Sequence, residues 1–234
     1  VTAREQLPNM LSLSQKLSLN RIRPQGGWTP GSDNVVAWYK MATGIVLNGS
    51  DVSEWRDSSG NGYNMKQSDT AQQPAYSAGV LTFDPTSNEC LELDGTQIQL
   101  AGDFTIGIRF NVTATTGTLL ADQTETGEFL RFQASNKIRV KIDGTAPLDL
   151  TLNSGNFGGE QYMVLTRSSG TVNLWVDGVQ QTSSGTKTGT ADIDAIGIRK
   201  TDASPYDGTM REIQIYSSTS AALTANVNTW LAAL

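Results

Sequence analysis

Phe104-Thr105-Ile106-Gly107-Ile108-Arg109-Phe110 is the stretch on which the fold class turns. Phe104, Ile106, Ile108 and Phe110 recur at every second position, which on an extended chain places all four on one face, as in a half-buried strand. The same alternation continues downstream. Phe129-Leu130-Arg131-Phe132 and Lys137-Ile138-Arg139-Val140-Lys141-Ile142 repeat it, with Ile138, Val140 and Ile142 inward and Asp143-Gly144 as a hairpin signal. Tyr162-Met163-Val164-Leu165 and Val172-Asn173-Leu174-Trp175-Val176 form a further pair around Ser168-Ser169-Gly170, and Asp177-Gly178 ends it. Val35 to Tyr39, Leu81 to Phe83 and Leu91 to Leu93 lie upstream; Ile193 to Ile198 and Met210 to Tyr216 complete the series. Short strands at such spacing, with turn residues between them, indicate an antiparallel sandwich and not a parallel α/β sheet.

Composition agrees and removes several function classes. The 234 residues, 38% of them hydrophobic, suit one large all-β domain that needs neither metal nor disulfide to support its core. A formal net charge of -6 repels phosphate backbones, so nucleic acid is not an expected partner. There is no histidine, which excludes Ser-His-Asp and Cys-His catalysis and His-ligated zinc. The single cysteine, Cys90, reads as a small buried apolar residue. No apolar run approaches the ~18 residues of a membrane helix, so no membrane partner is expected. Val1 to Glu5 lacks the basic end and apolar stretch of a secretory signal. Near the end, Leu223, Val227, Trp230 and Leu231 fall at helical spacing, with N-cap residues among Ser217 to Ser220. One short amphipathic helix is expected there.

Residues 1–34 read as an N-terminal arm and linker, and 35–234 as the sandwich. Leu11, Leu13, Leu17, Leu19, Arg21 and Arg23 follow a period of two, whereas Leu7, Met10, Leu11 and Leu17 equally share a helical face. Strand and helix both stay open. Pro24 to Asp33 is rich in turn formers. The arm is either an extra element on its own domain or an anchor laid on a neighbour. Its anchor candidates are Leu7, Leu11, Leu13, Leu17, Leu19, Arg21 and Arg23.

Several segments together resemble the laminin G-like branch of the concanavalin A-like lectin/glucanase superfamily. Val36-Ala37-Trp38-Tyr39-Lys40 stands where that family has its Trp-containing opening strand. Val52-Ser53-Glu54-Trp55-Arg56-Asp57-Ser58-Ser59-Gly60-Asn61-Gly62-Tyr63-Asn64 is similar to its Val-x-x-Trp-x-Asp-x-Ser-Gly-Asn-x-x-Asn stretch. Gln73-Pro74-Ala75-Tyr76, Leu93-Asp94-Gly95, Trp175-Val176-Asp177-Gly178 and Tyr206-Asp207-Gly208 through Glu212-Ile213-Gln214-Ile215-Tyr216 follow in family order. The resemblance covers about residues 35–234 and implies a concanavalin A-like jelly-roll sandwich of two antiparallel sheets, closed by a short C-terminal helix.

The resemblance raises an enzyme reading, and the residues argue against it. Glucanases of the superfamily carry Glu-x-Asp-x-x-Glu on one strand, whose carboxylates serve as nucleophile and acid/base. Glu92-Leu93-Asp94 is the nearest match, but Gly95, Thr96 and Gln97 follow it, and Glu89 is three residues from Glu92. No catalytic residue is expected. Calcium at a loop rim is common among laminin G-like domains; Asp57, Asn61, Asp84, Asp94 and Asp207 are the weak candidates, without the spacing of a dedicated calcium loop. Trp38, Trp55 and Trp175 read as core and Trp230 as the helix's inward face. Trp28, among turn formers, is the aromatic expected to be exposed for ligand contact.

The expected function is a non-catalytic structural or interaction protein. Domains of this resemblance occur in bacteriophage virions as capsid decoration, collar or fibre components. An arm-anchored subunit of a capsid-like assembly, homo-oligomeric or repeated on a lattice, suits that setting. The alternative is a carbohydrate-binding module recognising a cell-surface glycan, on a virion or extracellular; a glycan hydrolase is the remote third.

Overall fold

The computed structural model describes residues 27–122, 129–143, 145–199 and 203–234. The expected arm anchors, Leu7 to Arg23, lie outside the described residues, as does Gly144 of the expected hairpin turn. Among the described residues the chain forms β1 (Val35–Tyr39), β2 (Ile45–Asn48), β3 (Asp51–Trp55), β4 (Met65–Lys66), β5 (Ala75–Ser77), β6 (Val80–Phe83), β7 (Leu91–Leu93), β8 (Ile98–Leu100), β9 (Phe104–Val112) and β10 (Gly117–Ala121). There follow β11 (Leu130–Ala134), β12 (Lys137–Val140), β13 (Leu148–Thr151), β14 (Gly159–Ser168), β15 (Thr171–Val176), β16 (Val179–Gln180), β17 (Gly185–Thr186), β18 (Ala191–Ile193), β19 (Ala195–Ile196), β20 (Gly208–Tyr216) and the helix α1 (Ala221–Ala232).

The pairings, all antiparallel, build two layers. In the first, β9 is central: it pairs with β20 on one side and β14 on the other, β1 adds to β20, and β15 adds to β14. The second runs β2–β3–β4–β7–β19–β10–β11–β12–β13. The β5–β6 hairpin joins them, β6 pairing with the start of β20 and β5 with β3 at Asp51. The concanavalin A-like sandwich expected from the sequence is present. The sequence stretch Ile193 to Ile198 divides into two strands, because the chain leaves its pairing with β8 after Ile193 and joins β7 and β10 at Ala195.

Between the layers lies one apolar core. Phe104, Ile106, Ile108 and Phe110 of β9 all face it, with Met163 and Leu165 of β14, Val172 and Leu174 of β15 and Ile213 and Ile215 of β20. From the second layer come Trp55, Met65, Leu91, Leu130, Phe132, Ile138, Val140 and Leu150. Aromatic rings interlock at its centre: Phe132 lies 4.9 Å from Phe157, 5.3 Å from Phe110 and 6.2 Å from Tyr206. Arg167 plugs one end, with its guanidinium 4.9 Å from the Phe104 ring and donating to the carbonyls of Leu100, Gly102 and Gly189. Burial lowers its pKa from the usual arginine value.

Local chemistry fixes the corners. The β14–β15 turn is Ser169-Gly170 and the β15–β16 turn is Asp177-Gly178, each with both residues at positive φ, the mirror-image turn that matches strand twist. The loop after β3 is held by one carboxylate. Asp57 Oδ1 accepts from the Trp38 and Ser59 N–H groups, and Oδ2 from Ser59 Oγ and the Tyr63 N–H. Asn61 Nδ2 donates to the carbonyls of Val35 and Val36, so the family-like Asp-x-Ser-Gly-Asn run staples this loop to β1.

Candidate functional site

The first layer has a second apolar face, turned away from the core, and α1 lies on it. Ser220 caps the helix, its Oγ accepting from the Leu223 N–H at 3.0 Å. At the other end Arg109 Nη1 donates to the Leu231 carbonyl at 3.0 Å, a cation at the negative end of the helix dipole. Leu223, Val227 and Leu231 face the sheet, as their spacing predicts, and meet Val35, Trp38, Val164 and Tyr216. Gly107 allows this approach. A Cβ there would stand 2.5 Å from Val227 Cγ1 and 3.0 Å from Leu231 Cδ1.

This layer is not purely apolar. Glu212, fully buried, accepts through Oε1 from the indole N–H of Trp38 at 2.9 Å, that of Trp230 at 2.7 Å and Gln214 Nε2 at 2.8 Å. Its Oε2 accepts from the Met41 N–H at 3.3 Å. Tyr216 donates its hydroxyl to Gln214 Oε1, and burial pushes that hydroxyl's pKa up, followed by the charge of Asp33. Trp28, expected to be exposed, is half-buried: its ring meets Trp230 edge-on at 6.2 Å, and its indole N–H donates to Asp33 Oδ2.

Where the helix stops covering the sheet, a groove of about 490 Å³ opens. One wall is the outward face of the β14–β15 hairpin: Thr166, Ser168, Asn173 and Trp175. The other is the flank of α1, where Ala221 and Ala225 form one row and Thr224 and Asn228 the next. The short alanine side chains keep the space open. Trp175, expected as core, is only partly buried, and it packs on the helix-covered layer and not between the sheets. The period-two pattern puts Val172, Leu174 and Val176 inward, so Asn173 and Trp175 point out, and Trp175 lies half-buried on the groove wall, packed against the helix-covered cluster.

The five indole N–H groups separate the tryptophans by role. Trp28 donates to Asp33, Trp38 and Trp230 to Glu212, and Trp55 to the Lys40 carbonyl. Trp175 alone has no acceptor among the described residues; the Asn173 and Ser168 side chains have no hydrogen-bond partner there either. The Asn228 amide gives Nδ2 to the Thr224 carbonyl and leaves Oδ1 unpartnered. The groove thus presents an aromatic surface beside the uncommitted Asn173 amide and Ser168 hydroxyl, and no ionisable side chain lines it.

The other sequence candidates are not brought together here. Asp57 and Asn61 are spent in the loop lock, and Asp84 caps a turn by accepting from the Thr86 N–H and hydroxyl, which lowers its pKa. Asp94 is exposed and 3.5 Å from Lys66 Nζ, while the Asp207 carbonyl accepts from the Thr113 N–H. Among the described residues no three Asp, Glu, His or Cys groups converge as a metal site. Glu89 Oε2 accepts from the Asp84 N–H, and Glu92 is an exposed residue of β7. A second concavity, of about 440 Å³ beside Asn34, Asn61 and Tyr63, has its amide Asn61 already committed to β1.

Comparison with known proteins agrees with this architecture. Among solved structures the chain is similar to the binding domain of Paraclostridial Mosquitocidal Protein 1, with a TM-score of 0.61 and 12% identity over 87% of this chain and 52% of that one. It is similar to Trypanosoma rangeli sialidase in complex with the inhibitor DANA (0.58, 14%, 90% of this chain and 34% of that one). It is also similar to the ligand binding domain of botulinum neurotoxin serotype D in complex with N-acetylneuraminic acid (0.53, 12%, 86% and 52%). The chain therefore spans about half the length of the two toxin domains and about a third of the sialidase. At these identities the likeness is one of fold. No curated protein matches in sequence. A laminin G family model, described as concanavalin A-like lectin/glucanases superfamily, matches residues 85–226. With more than half its length so matched, and the two-layered sandwich in place, the chain belongs to the laminin G-like family of the concanavalin A-like lectin/glucanase superfamily.

Proposed function

We propose that this chain is a non-catalytic, lectin-like module that holds a glycan in the groove between α1 and the β14–β15 hairpin. One observation carries the reading: the half-buried Trp175 lines the groove with its indole N–H uncommitted, beside the free amide of Asn173. A sugar ring has an apolar C–H face and a polar rim. An indole flanked by hydroxyl and amide groups complements both, and few polar groups in a concave site suffice to orient a small ligand. The toxin domain crystallised with N-acetylneuraminic acid and the sialidase add support, since each is a sugar-handling protein of which this fold forms a part. Absence of catalysis is part of the proposal. Glu89 and Asp94 are engaged by Asp84 and Lys66, and the groove lining holds no carboxylate.

The test is a glycan array followed by titration in solution. Binding that Trp175→Ala abolishes in a chain that still folds is the expected result; a chain that binds no glycan at millimolar concentration overturns the reading. Hydrolysis of a bound glycan that disappears in Glu92→Gln overturns the non-catalytic part.

The setting we propose is a virion surface, with the module fixed to a capsid-like assembly by the arm within residues 1–34. The acidic, His-free composition and the apolar, basic-ended pattern of Leu7 to Arg23 support it. Removal of residues 1–27 should leave folding and glycan binding intact while preventing incorporation into the particle. A truncated chain that still assembles removes the arm from this role.

A further inference from the structure

We infer that the groove selects uncharged pyranoses, neutral hexoses or N-acetylhexosamines, and rejects sialylated and uronic-acid glycans. The inference rests on the groove being the glycan site and adds the class of sugar it takes. Its basis is the charge balance around Trp175. No Lys or Arg is among the lining residues. Arg167, which sits between the lining residues Thr166 and Ser168, points the other way: alternation sends it to the core side, where Leu100, Gly102 and Gly189 carbonyls occupy its guanidinium. Arg109, on the same outer face as the helix, is committed to Glu160 and the Leu231 carbonyl at the far end of α1.

Along the lining residues themselves, positive potential comes from the helix N-terminus at the groove's end, and Ser220 Oγ already accepts from its Leu223 N–H. Just beyond Gly178 on the groove wall stands Asp177, its carboxylate accepting from Gln161 Nε2 and the Tyr162 N–H. A carboxylate-bearing sugar entering here would lose hydration, meet no counter-charge and approach a chain of net charge -6. A neutral sugar carries none of these penalties. Its ring stacks on the indole while hydroxyl or acetamido groups meet the Trp175 N–H, the Asn173 amide and the Ser168 hydroxyl. The related toxin domain, by contrast, was crystallised with the anionic N-acetylneuraminic acid.

The experiment titrates the full chain by NMR and calorimetry with methyl hexosides, N-acetylhexosaminides and neutral oligosaccharides in parallel with sialyllactose and methyl glucuronide. Only the neutral sugars should bind, with affinity unchanged by added salt, and Trp175→Ala or Asn173→Ala should weaken them at least about tenfold. Ala225→Trp, a substitution at an exposed helix position, fills the groove from the helix side and leaves every sheet residue in place, and should remove binding from a chain that still folds. Sialyllactose or glucuronide bound through Trp175 would overturn the inference and leave the glycan-binding reading standing. Neutral binding untouched by both Trp175→Ala and Ala225→Trp would overturn the two together, as would no binding of either class.

Discussion

Two buried layers hold this protein together, and they are made of different material. Between the sheets, the central residues of β9, β11, β12, β14, β15 and β20 contribute aliphatic and aromatic side chains that require nothing of one another except shape. Under α1, buried indoles share space with a fully buried carboxylate, an amide and a phenol joined by hydrogen bonds. The first arrangement supplies most of the apolar burial and little direction, because the hydrophobic effect does not depend on orientation. The second fixes where a single helix sits. The position of α1 in turn decides how much of the sheet stays uncovered, and the groove is what remains.

The largest loss is expected in the inter-sheet core. Phe132→Ala removes the ring that Phe110, Phe157 and Tyr206 all touch, and should cost about 3–5 kcal/mol in denaturant unfolding. Glu212→Ala should come next. It strands two indole N–H groups and the Gln214 amide away from water, at a cost of about 2–3 kcal/mol. A further signature separates the two layers: Glu212→Ala should alter the fluorescence of Trp38 and Trp230 and disturb the groove, whereas Phe132→Ala should weaken the whole fold with the groove intact in whatever remains folded. Equal costs with identical spectra would mean that the polar layer acts as ordinary core. Gly107→Ala ranks third. Its methyl group meets Val227 and Leu231, which must shift, for about 1–2 kcal/mol, and the displacement should appear as changed chemical shifts along α1 with the inter-sheet residues unmoved.

How far each layer could be read from sequence follows from the same contrast. Period-two alternation identifies Phe104, Ile106, Ile108, Phe110, Ile138 and Val140 as core because a uniform apolar environment writes a uniform signal. The Asp57 to Asn64 motif and the Asp-Gly pair at 177–178 were legible for another reason: they are local, and turn chemistry acts within a few residues. The helix-covered layer is neither. Glu212 reaches Trp38 across 174 positions, and nothing near Glu212 in the chain announces an indole partner. Apolar neighbours make Trp175 read as core, although its own parity, one step from Leu174 and Val176, turns it to the face that α1 partly covers. That parity was the available signal for the site. The groove's far wall could not be seen, since it depends on where α1 docks.

Polar groups on the open face of the second layer supply the smallest effect and the control for Glu212. Asp149 accepts from Arg139 Nε at 2.8 Å and Nη2 at 3.2 Å, with Lys137 Nζ 3.9 Å away. The hydrogen bond from Arg139 is the main reason that its pKa falls below the usual 3.8. A carboxyl whose folded pKa is depressed adds stability that is present above the unfolded value and is lost as pH falls through the folded one. The stability gap between the native chain and Asp149→Asn should therefore be constant from neutral pH to about pH 4 and close below it. With the side chain 31% exposed, water screens the pair, and the gap should be only about 0.5 kcal/mol and shrink in salt. A gap as large as that of Glu212→Ala would show that bidentate geometry alone, without the covering helix, gives polar groups here their energetic weight. A small gap assigns that weight to burial under α1.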